Sequence, residues 1–254
     1  MKEALVLGCG YVGSFYLDKY PENVWTKRSI KTTTPNKNQV LFNLHDKLTW
    51  NHIPNLKNIL WTFNSASNEI ESQNAIKFFQ SHLKNKNVII LSTTSAYKTI
   101  EENEFVNENT PIEFQLPRFK TEEFLRNEGA LILHLSGIIG PNRMPRKWYE
   151  SERVQYAENI LNYVHVKDII YFIEALFQNF ISGERFNLTS ADYKTHMQIY
   201  EWLVEHQRLP QTKEPPFVFP KGTLNSKKVE NSKILLHTNN QGYAFLKYPE
   251  QIEI

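Results

Sequence analysis

The first strand and the turn after it set the fold, and they read Ala4-Leu5-Val6-Leu7-Gly8-Cys9-Gly10-Tyr11-Val12-Gly13. A short apolar run ended by glycine is typical of a strand buried on both faces of a parallel sheet. The glycines have G-x-G-x-x-G spacing and precede a helical pattern, which is the context this spacing requires. The first glycine permits a tight turn, the second lets a pyrophosphate approach, and the third lets helix pack on strand. We therefore predict dinucleotide binding at this turn, with contacts from Gly8, Gly10, Tyr11, Val12 and Gly13.

Strands and helices alternate along most of the chain. Apolar runs at 23–26, 39–44, 58–63, 87–91 and 130–135 are separated by helical patterns such as 69–84 and 118–127. This alternation predicts the α/β class: a Rossmann-type doubly wound parallel sheet with a small C-terminal substrate lobe. We predict an NAD(P)-binding Rossmann domain over 1–140, and over 141–254 a mixed segment that completes the sheet and forms the lobe. The proline-rich segment 210–220 predicts an extended surface connection.

Composition and charge exclude several classes of protein. The 29 Lys and Arg exceed the 27 Asp and Glu by two and are scattered, so we predict no nucleic-acid partner. No apolar run reaches the roughly 20 residues that span a bilayer, which predicts no membrane partner and a cytoplasmic location. The single cysteine, Cys9, excludes an internal disulfide and a multi-cysteine metal site, and we predict no metal. We interpret Cys9 as a small packing residue rather than a nucleophile, and the oligomeric state stays open.

The end of the second predicted strand indicates which dinucleotide is bound. About 20 residues beyond the glycine turn, an Asp or Glu favours NAD, whereas an Arg accommodates the 2′-phosphate of NADP. Here the strand ends in Thr26-Lys27-Arg28, with no carboxylate. We therefore favour NADP over NAD, with Lys27 and Arg28 as phosphate contacts. The alternative is that both are solvated loop charges beside an NAD.

Several further segments carry a family resemblance. They read LSTTSAY at 91–97, LSGIIGP at 135–141, NYVHVKD at 162–168 and SKKVENSK at 226–233, with Tyr248-Pro249 later in the chain. Together with the glycine turn they resemble the short-chain dehydrogenase/reductase superfamily, and the chain is identified as an atypical member of the NAD-dependent epimerase/dehydratase type. The resemblance runs over nearly the whole chain and implies a nicotinamide cofactor and a small-molecule substrate.

The chain departs from this family at its usual catalytic pair. Members usually carry Tyr-x-x-x-Lys, in which the lysine and the cofactor ribose lower the pKa of the tyrosine so that it can transfer a proton. Aligning Glu122 with the family's helix glutamate puts Phe114 on the tyrosine and Arg118 on the lysine. A phenyl ring has no proton to transfer, whereas Arg118 could still hold the nicotinamide ribose. Cofactor binding is therefore expected to survive this departure better than catalysis.

Thr93 and Tyr97 complete the predicted catalytic set with Arg118. Thr93 falls on the family's catalytic Ser/Thr position and could hydrogen-bond a substrate carbonyl; the alternative is a strand-end threonine satisfied by backbone. Tyr97 is the nearest phenol that could replace the missing acid, although this position more often packs in the family.

Other titratable residues are interpreted as structural. His165 has an ordinary pKa near neutrality, but the resemblance implies that it holds a strand to the following helix. The pairs Glu101-Glu102 and Glu122-Glu123 are predicted to be solvated faces rather than paired acids.

Two functions fit the sequence. The leading hypothesis is an NAD(P)-dependent oxidoreductase or epimerase-like enzyme for a small polar metabolite, a sugar being one example, bound at the carboxyl edge of the sheet. The alternative is a non-catalytic NADP(H)-binding sensor or scaffold, in which Phe114 marks lost chemistry. Substrate recognition is expected near Asn142, Arg143, Trp148 and Tyr149, which follow no pattern that names the substrate.

Overall fold

The computed structural model describes residues 3–29, 37–151, 153–210, 215–219, 221, 223 and 226–253. Its strands are β1 (Ala4–Leu7), β2 (Val24–Lys27), β3 (Gln39–Leu41), β4 (Asn58–Trp61), β5 (Asn87–Thr93), β6 (Glu104–Val106), β7 (Leu131–Leu135), β8 (Gly137–Ile139), β9 (Tyr163–His165), β10 (Arg185–Leu188) and β11 (Lys227–Val229). Within the described residues, seven of these strands form one sheet in the order β10-β7-β5-β4-β1-β2-β3.

The strand order identifies the fold. Strand β1 pairs in parallel with β2 on one side and with β4 on the other, so the direction of winding reverses between β1 and β4. This reversal is the topological switch point at which doubly wound sheets bind ligands, outside the carboxyl ends of the strands. The predicted fold class, α/β with a Rossmann-type parallel sheet, is confirmed.

Helices follow the strands, and local sequence explains where several of them begin. They are α1 (Tyr11–Lys19), α2 (Glu69–Phe78), α3 (Pro117–Asn127), α4 (Arg146–Glu150), α5 (Val166–Gln178), α6 (His196–Glu205) and α7 (Ser232–His237). The Asn68 side chain accepts a hydrogen bond from Glu71 N at the start of α2, and a proline occupies the first position of α3. The helix predicted over 69–84 is α-helical to Phe78 and continues as one π-helical turn, Phe79–Leu83.

The chain divides into two compact units that interleave along the sequence. The first comprises Met1–Ala96, Ile112–His134 and Ile170–Phe186, and the second comprises Tyr97–Pro111, Leu135–Ile169 and Asn187–Ile254. Each has its own apolar core, centred on residues such as Leu5 and Trp61 in the first and Tyr163 and Leu203 in the second. The second unit also contains two small parallel pairs, β6 with β11 and β8 with β9. A domain boundary at residue 140 stays a prediction.

The predictions about membrane helices, metal sites and the proline-rich segment can be examined only in the described residues. In this part of the chain, no helix combines the length and the apolar character needed to cross a membrane. The same residues contain no group of three or more His, Cys, Asp or Glu side chains able to hold a metal. Residues 211–214 and 220 of the proline-rich segment lie outside the description.

Candidate functional site

The glycine turn joins β1 to α1 and is fixed by hydrogen bonds from two neighbouring strand ends. Gly8 has a φ of 90°, a left-handed conformation that favours glycine. Its N–H donates to Thr26 Oγ1 at 2.9 Å, and the hydroxyl of Thr62 lies 2.9 Å from its carbonyl oxygen. Since Thr26 is the next-to-last residue of β2 and Thr62 follows β4, the two strands on either side of β1 hold the turn in place.

The second and third glycines have different surroundings. A Cβ atom added at Gly13 would lie 2.6 Å from Gly8 O, so only glycine lets α1 approach the turn this closely. A Cβ added at Gly10 would meet nothing within 4 Å. The protein therefore does not itself require glycine at position 10, and the open space there fits a group that the turn would receive.

The start of α1 supplies hydrogen-bond donors. Gly10 is the N-cap, and the first N–H groups of a helix have no partner within the helix, which favours an anion at this end. Val12 is buried, so its side chain packs in the core and only its backbone could contact a ligand. Tyr11 is half-buried and packs against Phe15, with ring centroids 5.0 Å apart.

A cleft of about 320 Å³ lies beyond the carboxyl ends of β1, β2, β3 and β4. It is lined by Gly8, Cys9, Gly10, Thr26, Lys27, Arg28, Phe42, Asn43, Leu44, His45, Phe63, Asn64, Ser67 and Glu71. Gly8 and Gly10 of the turn and Lys27 and Arg28 at the β2 end are thus brought together around one cavity at the switch point of the sheet, whereas Tyr11, Val12 and Gly13 are not among its lining residues.

The charged side chains of this cleft differ in how many partners they have. Lys27 and Arg28 are exposed; Lys27 Nζ lies 5.1 Å from the centroid of the Trp25 ring, and Arg28 forms no hydrogen bond or ion pair with any described residue. The cleft also contains an acidic side chain, Glu71. Its carboxylate lies 3.2 Å from His45 Nε2 and accepts a hydrogen bond from Ser67 N at 2.6 Å. That backbone donor holds the pKa of Glu71 below its ordinary value, which keeps this carboxylate ionised.

The interpretation of Cys9 as a packing residue is wrong. Its side chain is exposed and lines the cleft, because the turn carries it away from the core that β1 enters. Partial desolvation by neighbouring groups still raises the pKa of the Cys9 thiol, so the thiol stays protonated at neutral pH.

The carboxyl end of β5 carries Thr93, and Arg118 of α3 reaches it. Arg118 Nη2 donates to Leu91 O at 3.2 Å, two residues before Thr93. The Thr93 hydroxyl accepts from Ser95 N at 3.2 Å, a local bond of the kind that the structural alternative describes. Phe114 is 49% exposed, so its ring does not belong to the core. The catalytic roles of Thr93 and Arg118 stay predictions.

The prediction that Glu122 and Glu123 form a solvated face is wrong. Glu122 is 2% exposed and pairs with Arg118, while Glu123 forms ion pairs with Arg126 and Arg185. Each carboxylate is stable at this depth because an arginine neutralises its charge. The charge pattern suggested solvent, whereas two arginines of α3 itself and Arg185 of β10 made burial possible.

Tyr97 and His165 lie in the second compact unit. Tyr97 is 3% exposed, and its hydroxyl donates to Asn187 Oδ1 at 2.6 Å, so the phenol is engaged inside the unit. His165 Nδ1 accepts from Lys167 N at 3.1 Å, and burial lowers its pKa to about 4. A neutral, buried histidine that caps the start of α5 fits the structural interpretation. The catalytic role of Tyr97 stays a prediction.

The second unit has a cleft of its own, of about 390 Å³. It is lined by Trp148, Arg153, Val154, Gln155, Tyr156, Asn159, Leu161 and His196. His196 Nδ1 lies 2.9 Å from the Tyr149 hydroxyl, and burial lowers the pKa of His196 to about 4. Tyr156 stacks on Phe219 with ring centroids 4.9 Å apart. Aromatic faces and polar groups thus line one concave surface.

Sequence reasoning missed most residues of the far wall of the first cleft. Phe42, Asn43, Leu44 and His45 follow β3 directly, and Phe63 and Asn64 lie just beyond β4. The rule that ligands bind outside the carboxyl ends of parallel strands could have found them once the strand order was known. Glu71 and Ser67 carry no such signal, because they enter the cleft from the start of α2.

Comparisons with known proteins show the same architecture. No family model matches the chain. Over 176 residues it is 24% identical to Protein YeeZ of two Escherichia coli strains, a match that takes in 65% of this chain and 60% of each of these curated relatives. The matched part is therefore less than two thirds of the relatives' length.

Solved structures cover nearly the whole chain. They include the Bordetella bronchiseptica enzyme WbmH in complex with NAD⁺ (TM-score 0.75, 14% identity, 99% of this chain and 96% of that chain). A candidate NAD-dependent epimerase/dehydratase from Methylobacillus flagellatus has a TM-score of 0.73 at 21% identity, covering 99% and 95%. The dTDP-glucose 4,6-dehydratase of Bacillus anthracis in complex with NAD has a TM-score of 0.72 at 15% identity, covering 99% and 94%.

At these identities the likeness shows the fold. The chain shares the fold of these proteins, one of which is described as an NAD-dependent epimerase/dehydratase, and the resemblance indicated by the sequence motifs is confirmed at the level of the fold.

Proposed function

We propose that the chain is an NAD(P)-binding oxidoreductase of the epimerase/dehydratase type that acts on a small polar, sugar-like metabolite. The glycine turn carries this proposal, because it ends in a helix N-terminus and opens onto a cleft at the switch point. The vacant space at the Gly10 Cβ position is the particular feature that fits a pyrophosphate. The neighbours WbmH and dTDP-glucose 4,6-dehydratase, both solved with NAD, support a nicotinamide dinucleotide as the cofactor.

The residues of the first unit suggest how a dinucleotide would be held. The N–H groups at the start of α1 would receive the pyrophosphate, the ends of β2 and β3 would surround the adenosine, and Arg118 would donate to the nicotinamide ribose. A bound nicotinamide supplies hydride transfer, while the protein supplies orientation and electrostatics. Thr93 would orient a substrate carbonyl by donating its hydroxyl proton. Phe114 cannot donate a proton, so turnover is expected to be weak.

The second cleft is the proposed place of the substrate. Trp148 and Tyr156 offer aromatic faces, and Arg153 and Asn159 offer polar groups, which is the combination found in sites for small polar ligands. The neighbour MoeE5, solved with UDP-glucuronic acid and NAD (TM-score 0.72, 12% identity, covering 98% of this chain and 95% of that chain), makes nucleotide sugars a reasonable class to test.

A substrate panel tests the enzyme proposal. In one set of assays the purified protein is mixed with NADPH or NADH and a carbonyl compound. In a second set it is mixed with an oxidised cofactor and a nucleotide sugar. Absorbance at the nicotinamide band is followed in both. We expect slow but saturable consumption with at least one substrate, and loss of that turnover in Arg153→Ala with cofactor affinity retained. Tight cofactor binding without turnover across the panel would instead favour the sensor or scaffold function, which the phenylalanine at 114 already suggests.

Cofactor preference is the first specific prediction. If Arg28 contacts the 2′-phosphate, NADPH should bind more tightly than NADH, and Arg28→Ala should weaken NADPH binding roughly tenfold or more, since a hydrogen bond to a charged group contributes about 1.5–3 kcal/mol. The affinity for NADH should change little. Fluorescence titration of both variants with both cofactors measures this, and Lys19→Ala, a lysine at the far end of α1, is the control for net charge. Equal wild-type affinities would reject the preference for NADP.

A further inference from the structure

Glu122 of α3 has a buried carboxylate whose two oxygens both accept hydrogen bonds. Glu122 Oε1 accepts from Arg118 Nε at 2.7 Å and from Ser65 Oγ at 3.3 Å, and Oε2 accepts from Ser92 Oγ at 2.5 Å. Its side chain is 2% exposed. Burial raises the pKa of Glu122, whereas the ion pair and the hydroxyl donors oppose that rise and favour the ionised form. Groups from three segments of the first unit thus converge on one carboxylate.

The partner guanidinium is fixed at two points and open at a third. Arg118 Nε is held by Glu122, and Nη2 is held by Leu91 O at the end of β5. Because the guanidinium is planar, two such contacts define its orientation. Nη1 forms no hydrogen bond with a described residue, and the side chain is 24% exposed. One edge of the group is therefore available to a ligand.

The adjacent residue, Glu123, forms ion pairs with which the Glu122 pair can be compared. Glu123 pairs with Arg126 three residues later on the same helix and with Arg185 of β10. The Arg126 guanidinium is further occupied, because its Nη1 donates to Gly183 O at 2.7 Å. Arg118, by contrast, leaves Nη1 without a hydrogen bond to a described residue, and its Nη2 donates to β5, the strand that ends at Thr93.

We propose that Glu122 is a positioning residue: it orients Arg118 so that the open edge of the guanidinium can donate to the hydroxyls of the nicotinamide ribose. This rests on the proposed function, in which Arg118 contacts that ribose. The ion pair also selects the kind of ligand. Since the carboxylate neutralises the guanidinium at a distance of 2.7 Å, the open N–H groups favour uncharged hydroxyl oxygens over a second anion.

The test compares two ligands that differ at the nicotinamide end. NADPH and NADH contain the nicotinamide ribose, and ADP lacks it. Glu122→Gln, which keeps the size of the side chain and removes its charge, should weaken binding of the tighter dinucleotide roughly tenfold, the loss expected for a displaced charged donor. The affinity for ADP should stay the same. In an Arg118→Met background, Glu122→Gln should cause no further loss.

The matched control is Glu123→Gln, which weakens the two ion pairs of Glu123, with Arg126 and Arg185, without touching Arg118. It should alter the melting temperature but not the ratio of dinucleotide to ADP affinity. An equal loss for ADP and dinucleotide in Glu122→Gln, or a loss that persists in the Arg118→Met background, would leave Glu122 a structural residue only. If Glu122→Gln does not fold, Ser92→Ala replaces it and should show a smaller loss selective for the dinucleotide; a non-selective result would overturn the proposal.

The titrations separate this inference from the proposed function. A wild-type protein that binds ADP but shows no gain from the nicotinamide half would overturn the role of Arg118 and Glu122 while leaving the glycine turn intact. A wild type that binds none of these ligands would overturn the proposed function and the positioning role together.

Discussion

Gly10→Val is expected to abolish dinucleotide binding while the protein stays folded. A Cβ added at this position would meet nothing within 4 Å, so the first atom of the new side chain causes no clash and we expect the fold to be kept. It would occupy the space where the turn is proposed to receive a pyrophosphate. We expect affinity to fall by roughly 100-fold or more, equivalent to about 2.7 kcal/mol of binding free energy. Calorimetric titration measures the affinity, and circular dichroism during heating measures the melting temperature.

Gly13→Ala is the matched comparison within the same turn. The added Cβ would lie 2.6 Å from Gly8 O, so α1 or the turn must shift, and overpacking of this kind costs about 1–3 kcal/mol of stability. Position 13 should therefore affect stability first, and position 10 should affect binding alone. A folded Gly10→Val protein with wild-type affinity would contradict the assignment of the turn.

Phe114→Tyr combined with Arg118→Lys is expected to raise turnover by about 10²–10⁴-fold, the usual contribution of general acid–base catalysis. The double change restores the Tyr-x-x-x-Lys pair of the family that the chain resembles. Phe114 is 49% exposed, so the added hydroxyl can be solvated, and a lysine at 118 remains within reach of Glu122 through its ammonium group. The rate is followed as cofactor absorbance with the best substrate of the panel.

The two single variants make this result interpretable. Phe114→Tyr alone should give a smaller gain, because the arginine differs from lysine in shape and donor geometry. If the wild type already reacts at an ordinary rate and the double variant is slower, another group is the acid, and Tyr97→Phe becomes the substitution to measure. That outcome would require the hydroxyl of Tyr97 to exchange its bond to Asn187 for one to a substrate.

The sequence predicted the first strand, its turn and the parallel sheet because these features depend on short-range patterns. The apolar run of β1 and the glycine spacing are local, and Gly8 and Gly13 have the backbone and packing demands that the pattern implies, while the Cβ position of Gly10 is open. The ends of β2 and β5 were also local signals, since each lies just beyond the end of an apolar run. Whether these strand ends lie at a binding site depends on the order of the strands in the sheet, and that order is set by pairing between segments far apart in the sequence.

Burial of charge was the main feature that the sequence did not show. Adjacent glutamates at 122 and 123 suggest a solvated face, yet their arginine partners include Arg185, about sixty positions away in the chain. Cys9 was assigned to packing because free cysteines are usually buried, whereas the turn carries it outward. The far wall of the cleft was missed for a related reason: His45, which follows β3, and Glu71 of α2 meet only in the folded chain.

A calorimetric titration of the wild-type protein with NADPH and with NADH tests the central claim, that the glycine turn and its cleft form a dinucleotide site. We predict one saturable site with a dissociation constant in the micromolar range for at least one cofactor, and the loss of that signal in folded Gly10→Val protein. A folded wild type that gives no saturable binding with either cofactor at millimolar concentration would contradict it.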